Sequence, residues 1–113
     1  IEFIDDTKLH SDYTMYIPAL QGHDVFYNAS DLPLTEAGFI KIDDYQEVQF
    51  EKGEKKSKTH VYAVGDSSAL EGPGWKAKQG HIAEVMARNL AFNIAEREKG
   101  SNERKGYKEH LNI

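Results

Sequence analysis

The stretch HVYAVGDSSALEGPGWKAKQGH, residues 60–81, decides the fold. An apolar run stops at a bare Gly65-Asp66 pair, and a loop rich in glycine and lysine follows. Val61-Tyr62-Ala63-Val64 shows no polar alternation. That pattern predicts a strand buried on both faces in a parallel sheet. Behind the loop comes the strongest helical pattern in the chain, from about Gln79 to Lys99. Ile82, Met86, Leu90 and Ile94 make one row at i+4 spacing, and Ala83, Ala87, Ala91 and Ala95 make the row beside it. A large row next to a small one lets a helix lie close against a sheet. Glu84 and Arg88 can pair at i, i+4. Lys99-Gly100 is a stop signal: a cation in the last turn, then a glycine for a left-handed cap.

A strand that feeds a helix leaves its carboxyl end at the edge of the sheet, where open α/β sheets bind ligands. Gly65 has no Cβ, so backbone and ligand can approach closely. Asp66 can accept hydrogen bonds from ligand hydroxyls. The helix start offers free N–H groups and the positive end of a dipole, and Lys78 adds a charge there. A Gly-Asp pair after a strand is also a common turn, and spacing alone leaves both readings open.

Upstream, Tyr13 to Leu20 is rich in aromatic and β-branched residues and predicts a strand that Pro18 ends. Gln21 to Asp24 predicts a turn, and residues 28–38 a connection. Phe39-Ile40-Lys41-Ile42-Asp43 predicts a short strand, with residues 45–50 continuing it after a break at Asp43-Asp44. Residues 51–58 are almost wholly charged and read as a solvated hairpin tip, with a docking patch for an acidic partner as the second reading. There are no internal repeats.

The 113 residues fit one small domain at most. A net charge of −5 argues against a nucleic-acid binder, which needs a basic patch. With no cysteine there is no disulfide, zinc-thiolate site or thiol nucleophile. No signal peptide and no membrane-spanning apolar run is present. The chain starts at Ile1 rather than Met and ends on Leu111-Asn112-Ile113, and both ends read as cut from a longer protein.

Two segments together resemble the FAD-dependent pyridine nucleotide-disulfide oxidoreductase superfamily. The first is Leu34-Thr35-Glu36-Ala37-Gly38-Phe39-Ile40-Lys41-Ile42-Asp43. The second is His60-Val61-Tyr62-Ala63-Val64-Gly65-Asp66 with its alanine-rich helix. Two further segments look most like the sulfide:quinone oxidoreductase and flavocytochrome c sulfide dehydrogenase branch. These are Tyr13-Thr14-Met15-Tyr16-Ile17-Pro18-Ala19-Leu20-Gln21-Gly22 and Lys78-Gln79-Gly80-His81-Ile82-Ala83-Glu84. The resemblance spans roughly residues 11–99. It implies an α/β fold, a partial Rossmann-type FAD-binding domain with few strands and one long helix. Residues 1–30 would end a second, nucleotide- or substrate-side domain, and residues 31–113 would close the FAD domain.

By the same resemblance Asp66 accepts a hydrogen bond from the ribityl chain of FAD, and Gly65 permits the approach. Lys78, Gln79 and Gly80 face the pyrimidine side of the flavin, where reduction places negative charge. Electrons would pass from sulfide or a related donor to a quinone or cytochrome, in the cytoplasm or at a membrane surface. The chain departs from the family in lacking Gly-x-Gly-x-x-Gly and the redox cysteines, and in Ala77 and Gln79 standing where the branch has Pro and Thr. A type II NADH dehydrogenase-like flavoenzyme and a cofactor-free α/β interaction module stay open as alternatives. This piece alone is expected to hold FAD weakly, without the pyrophosphate loop. It is also expected to self-associate through unpaired strand edges.

The five histidines show no metal-ligand spacing. His81 and Glu84 share a helix face at i, i+3, which reads as a local hydrogen bond before a metal site. Trp75 reads as loop packing, with a cover over flavin or quinone as the second reading. Ser67 and Ser68 have no base that the sequence can place.

Overall fold

The computed structural model describes residues 1–29, 31–50, 60–70 and 79–108. It is a small mixed α/β piece in which one long helix covers a short parallel pair of strands. In order come a one-turn helix α1 (Asp24–Tyr27), strand β1 (Ile40–Lys41), a 3-10 turn at Gly65–Ser67, strand β2 (Ser68–Ala69) and helix α2 (Gly80–Glu98). Strands β1 and β2 run parallel, Ile40 opposite Ser68 and Lys41 opposite Ala69. Antiparallel bridges extend this pair, Ile42 to Val48 and Glu47 to Tyr62.

The break foreseen at Asp43-Asp44 is a tight hairpin. The Asp43 carboxylate accepts hydrogen bonds from the Tyr45 and Glu47 amides at 2.8 and 3.0 Å. Gln46 takes the left-handed position, φ 62°, that glycine usually fills in such loops. Its side chain explains the exception: fully buried, it donates to the Met86 carbonyl of α2. The Gln46 carbonyl in turn accepts from the Ala63 amide at 3.0 Å. One residue thus ties the hairpin to the run 60–64 and to the helix.

That run differs from the strand expected. Its partner is the antiparallel segment 46–48, with the Val48 amide donating to the Val61 carbonyl at 2.8 Å. The parallel pairing begins only beyond Gly65, at β2. Val61 and Ala63 share one face of the run, on which burial falls from Ala63, in the core, to Val61, 36% exposed at the edge, while Tyr62 and Val64 on the other face are half-buried. The missing polar alternation therefore reflects a run partly buried on both faces and fully enclosed on neither. The strand expected over residues 13–20 is not formed: Tyr13 lies in a bend, and the rest carries no regular structure and no ladder partner among the described residues. Tyr13, Met15, Tyr16 and Ile17 stand exposed, with no neighbouring strand among the described residues to bury them. In place of the turn expected at 21–24, residues 21–23 are irregular and lead into α1, where His23 Nδ1 accepts the Val25 amide at 3.1 Å. The charged run 51–58 lies outside the described residues.

Helix α2 matches its expected span to within one residue at each end. It closes as the sequence implies. Gly100 adopts φ 80°, its amide donates to the Arg97 carbonyl, and the Ser101 amide donates to the Glu96 carbonyl. These are the two bonds of a Schellman cap. Glu84 and Arg88 pair at 2.6 Å. The buried face, however, is not the expected row. Ile82, Met86, Asn89 and Asn93 are buried, while Leu90 and Ile94 are half-buried and Ala87, Ala91 and Ala95 are exposed. Helical geometry explains this. Each residue advances about 100°, so every i+4 step drifts roughly 40° and an i+7 step returns to within about 20°. Leu90 and Ile94 rotate out of the face that Asn89 and Asn93 keep.

The two asparagines are buried because a C-terminal strap, residues 101–108, lies over them. Asn93 donates to the Lys105 carbonyl at 2.9 Å and accepts the Lys105 amide at 2.7 Å, as a β-strand partner does. Asn89 donates to the Gly106 carbonyl at 3.3 Å. The Tyr107 amide donates to the Asp44 carbonyl and Tyr107 is 1% exposed, closing the core of Ile40, Ile42, Val48, Ala63, Leu70, Ile82 and Met86. At Gly106 a Cβ would strike the Asp44 carboxylate, so a side chain there would have to displace that carboxylate. Asn93→Ala removes both bonds to Lys105 and is expected to destabilise by about 1–3 kcal/mol, the typical penalty for leaving buried groups unpaired. Hydrogen exchange of the Lys105 amide checks it: faster exchange by roughly tenfold or more is expected, and unchanged protection would show that the clamp is dispensable.

Candidate functional site

The Gly65-Asp66 turn sits against the first turn of α2. Gly65 is buried with φ 71°, and a Cβ built on it would lie 3.2 Å from the Ala83 Cβ. Glycine is needed here twice over, for the left-handed backbone and for the close approach to the helix. The turn is held from within. Ser68 Oγ, fully buried, donates to the Gly65 carbonyl at 2.6 Å, and Ser67 Oγ donates to the Val64 carbonyl at 3.2 Å. These hydroxyls are structural, which agrees with the absence of a base beside them in the sequence.

Asp66 points away from this scaffold. It is exposed, and among the described residues its carboxylate has no hydrogen-bond partner. The neighbouring helix start is open as well. Gln79 is the N-cap, with extended backbone (φ −130°, ψ 146°), and its side chain makes no capping bond. Among the described residues nothing lies within 4 Å of the place a Cβ would take on Gly80. Of the five residues singled out by sequence, Gly65, Asp66, Gln79 and Gly80 are therefore assembled from two elements that touch. Lys78 lies outside the described residues, as does Trp75.

Other candidates resolve differently. His81 and Glu84 are both exposed, and the Glu84 carboxylate is taken by Arg88. Among the described residues no group of three or more possible metal ligands is present, and no helix is long and apolar enough to cross a membrane.

Sequence reasoning missed two features. One is Gln46, whose buried Oε1 has no hydrogen-bond partner. The other is a cavity of about 400 Å³ at the far end of α2, walled by tyrosines and arginines. Their residues come from separate parts of the chain, so spacing carried no signal for either. Comparison with protein-family models, with curated proteins and with solved structures finds no significant match to this chain.

Proposed function

We propose that this chain supplies the ribityl and pyrimidine side of a flavin site in an FAD-dependent oxidoreductase, most like the sulfide:quinone oxidoreductase branch. The observation that carries the reading is the Gly65-Asp66 turn. It docks on the first turn of α2 through a Cβ-free contact and leaves one unpaired carboxylate beside an uncapped helix start. These residues fit the group. A carboxylate with open lone pairs suits a ribityl hydroxyl, and free N–H groups at a helix start suit an electron-rich ring edge.

FAD, when bound, supplies the two-electron carrier between a sulfide-type donor and a quinone or cytochrome acceptor. The chain's own part is binding and electrostatics. Asp66 holds and orients a hydroxyl. The Gln79-Gly80 backbone and the helix dipole favour negative charge at the ring edge they face, and Lys78 adds a cation to the same end. Gly65 sets the distance between turn and helix. A Rossmann-type sheet around β1 and β2 belongs to this same proposal.

The test is flavin retention by the chain expressed as its complete reading frame. Asp66→Ala is expected to weaken FAD binding roughly tenfold to a hundredfold, since a hydrogen bond to a charged group contributes about 1.5–3 kcal/mol. Asp66→Asn keeps an acceptor and should fall between. A yellow, fully loaded Asp66→Ala protein with unchanged FAD affinity would remove this residue from the site. A wild-type protein without flavin absorbance would favour a cofactor-free α/β module, the reading supported by how completely Ser67 and Ser68 satisfy the turn from within.

A further inference from the structure

The cavity at the other end of α2 has a different chemistry. The hairpin, the last turn of α2 and the start of the C-terminal strap enclose about 400 Å³, within the usual range for small-molecule sites. The Arg104 guanidinium lies 3.9 Å from the centre of the Tyr45 ring. Arg97 donates to the Tyr62 hydroxyl, and its guanidinium lies 5.8 Å from the centre of that ring. The His60 and Tyr62 rings are parallel to within 11°, with centroids 6.2 Å apart. The cavity wall thus carries one guanidinium stacked on a ring, Arg104 on Tyr45, and a second, Arg97, held at the hydroxyl edge of Tyr62.

A guanidinium stacked on a ring keeps its N–H edge free and fixed in direction, ready for a carboxylate or phosphate. Among the described residues Arg104 has no carboxylate partner. The negative groups nearby are accounted for. Glu47 faces His60 at 2.9 Å. Glu98 meets Arg97 only at 3.9 Å and is exposed, a contact that a ligand oxygen can replace. Glu103 also lines the cavity, and a carboxylate there can accept from a ligand amine.

We propose that this cavity binds a small aromatic anion, a flat ring carrying a phosphate, of about the size of a nucleoside monophosphate. The phosphate meets the N–H edges of Arg104 and Arg97. The ring continues the parallel stack of Tyr62 and His60, and an exocyclic amine reaches a wall carboxylate. The site is separate from the Gly65-Asp66 turn, because Arg97 lies seventeen residues along α2 from Gly80, about 25 Å at helical rise. It does not depend on the flavin reading.

The experiment is a titration of the full chain with AMP, adenosine and inorganic phosphate, followed by calorimetry and amide chemical shifts. AMP is expected to bind with a Kd below about 1 mM. Adenosine and phosphate should each bind at least tenfold more weakly, and shifts should centre on Tyr45, His60 and Tyr62. Arg104→Gln should weaken AMP at least tenfold, with Arg104→Lys intermediate, since it keeps the charge but loses the plane. Lys99→Gln, a cation of the same helix end outside the cavity wall, should leave binding unchanged. Phosphate as tight as AMP would overturn the aromatic part, and adenosine as tight as AMP the anionic part. No AMP binding at all, or shifts centred on Gly65 and Asp66, would overturn the whole proposal. Should Arg104→Gln unfold the chain, the wild-type shift map alone decides between these outcomes.

Discussion

Met86→Ala is expected to lower the unfolding free energy by about 2–5 kcal/mol, the range for truncating a fully buried large side chain. Met86 is the most enclosed apolar side chain of the core, with no exposed surface, and lies on the helix face that also carries Ile82. Its own carbonyl takes the Gln46 side chain, so a cavity at Met86 also loosens the hairpin that this bond anchors. Small domains hold only about 5–15 kcal/mol in total, so the loss is a large fraction of it. Leu90→Ala is the informative comparison. The expected i+4 row puts both residues on one buried stripe and predicts similar losses, whereas the observed face leaves Leu90 only half-buried. Urea unfolding followed by circular dichroism should show a clearly lower midpoint for Met86→Ala, at an unchanged slope, and a loss less than half as large for Leu90→Ala. Equal losses would mean that the helix packs on the row read from sequence.

This comparison also marks what the sequence made legible. Helix α2 was readable end to end because its signals are local: periodicity, an i, i+4 ion pair, and a glycine placed for the left-handed cap. The direction of its buried face was not, because it depends on a strap more than ten residues away. Asn89 and Asn93 look polar and outward until Lys105 and Gly106 arrive to pair with them. The run 60–64 was recognisable as apolar, but its antiparallel partner was not, since half-buried apolar residues look the same in sequence as residues enclosed on both sides. Gly65, Asp66, Gln79 and Gly80, the described residues of the proposed site, could be placed near one another from sequence because two neighbouring elements supply them in chain order. The arginine-tyrosine cavity draws on residues 45, 62, 97 and 104, and only the tertiary fold brings them together.

Gly65→Val is expected to destabilise by about 2–5 kcal/mol, from two separable sources. The backbone is the first: at φ 71° a side chain costs about 1–2 kcal/mol, and branching at Cβ raises this further. Crowding is the second, because a Cβ here stands 3.2 Å from the Ala83 Cβ and the valine methyls add volume on the same side, typically about 1–3 kcal/mol for an overfilled contact. Gly65→Ala carries mainly the backbone part and should cost about 1–2 kcal/mol. A double-mutant cycle with Ala83→Gly divides the two. Removing the Ala83 methyl should recover the crowding part but none of the backbone part, after allowing about 0.5–1 kcal/mol for glycine inside a helix. In the flavin reading the same substitution pushes the turn away from α2 and separates Asp66 from the helix start. FAD retention by Gly65→Val should then fall even under conditions where circular dichroism reports a fully folded protein. Unchanged stability of Gly65→Val would mean that turn and helix do not touch as described. Lost stability with FAD affinity intact would leave Gly65 as a packing residue and detach it from the ligand site.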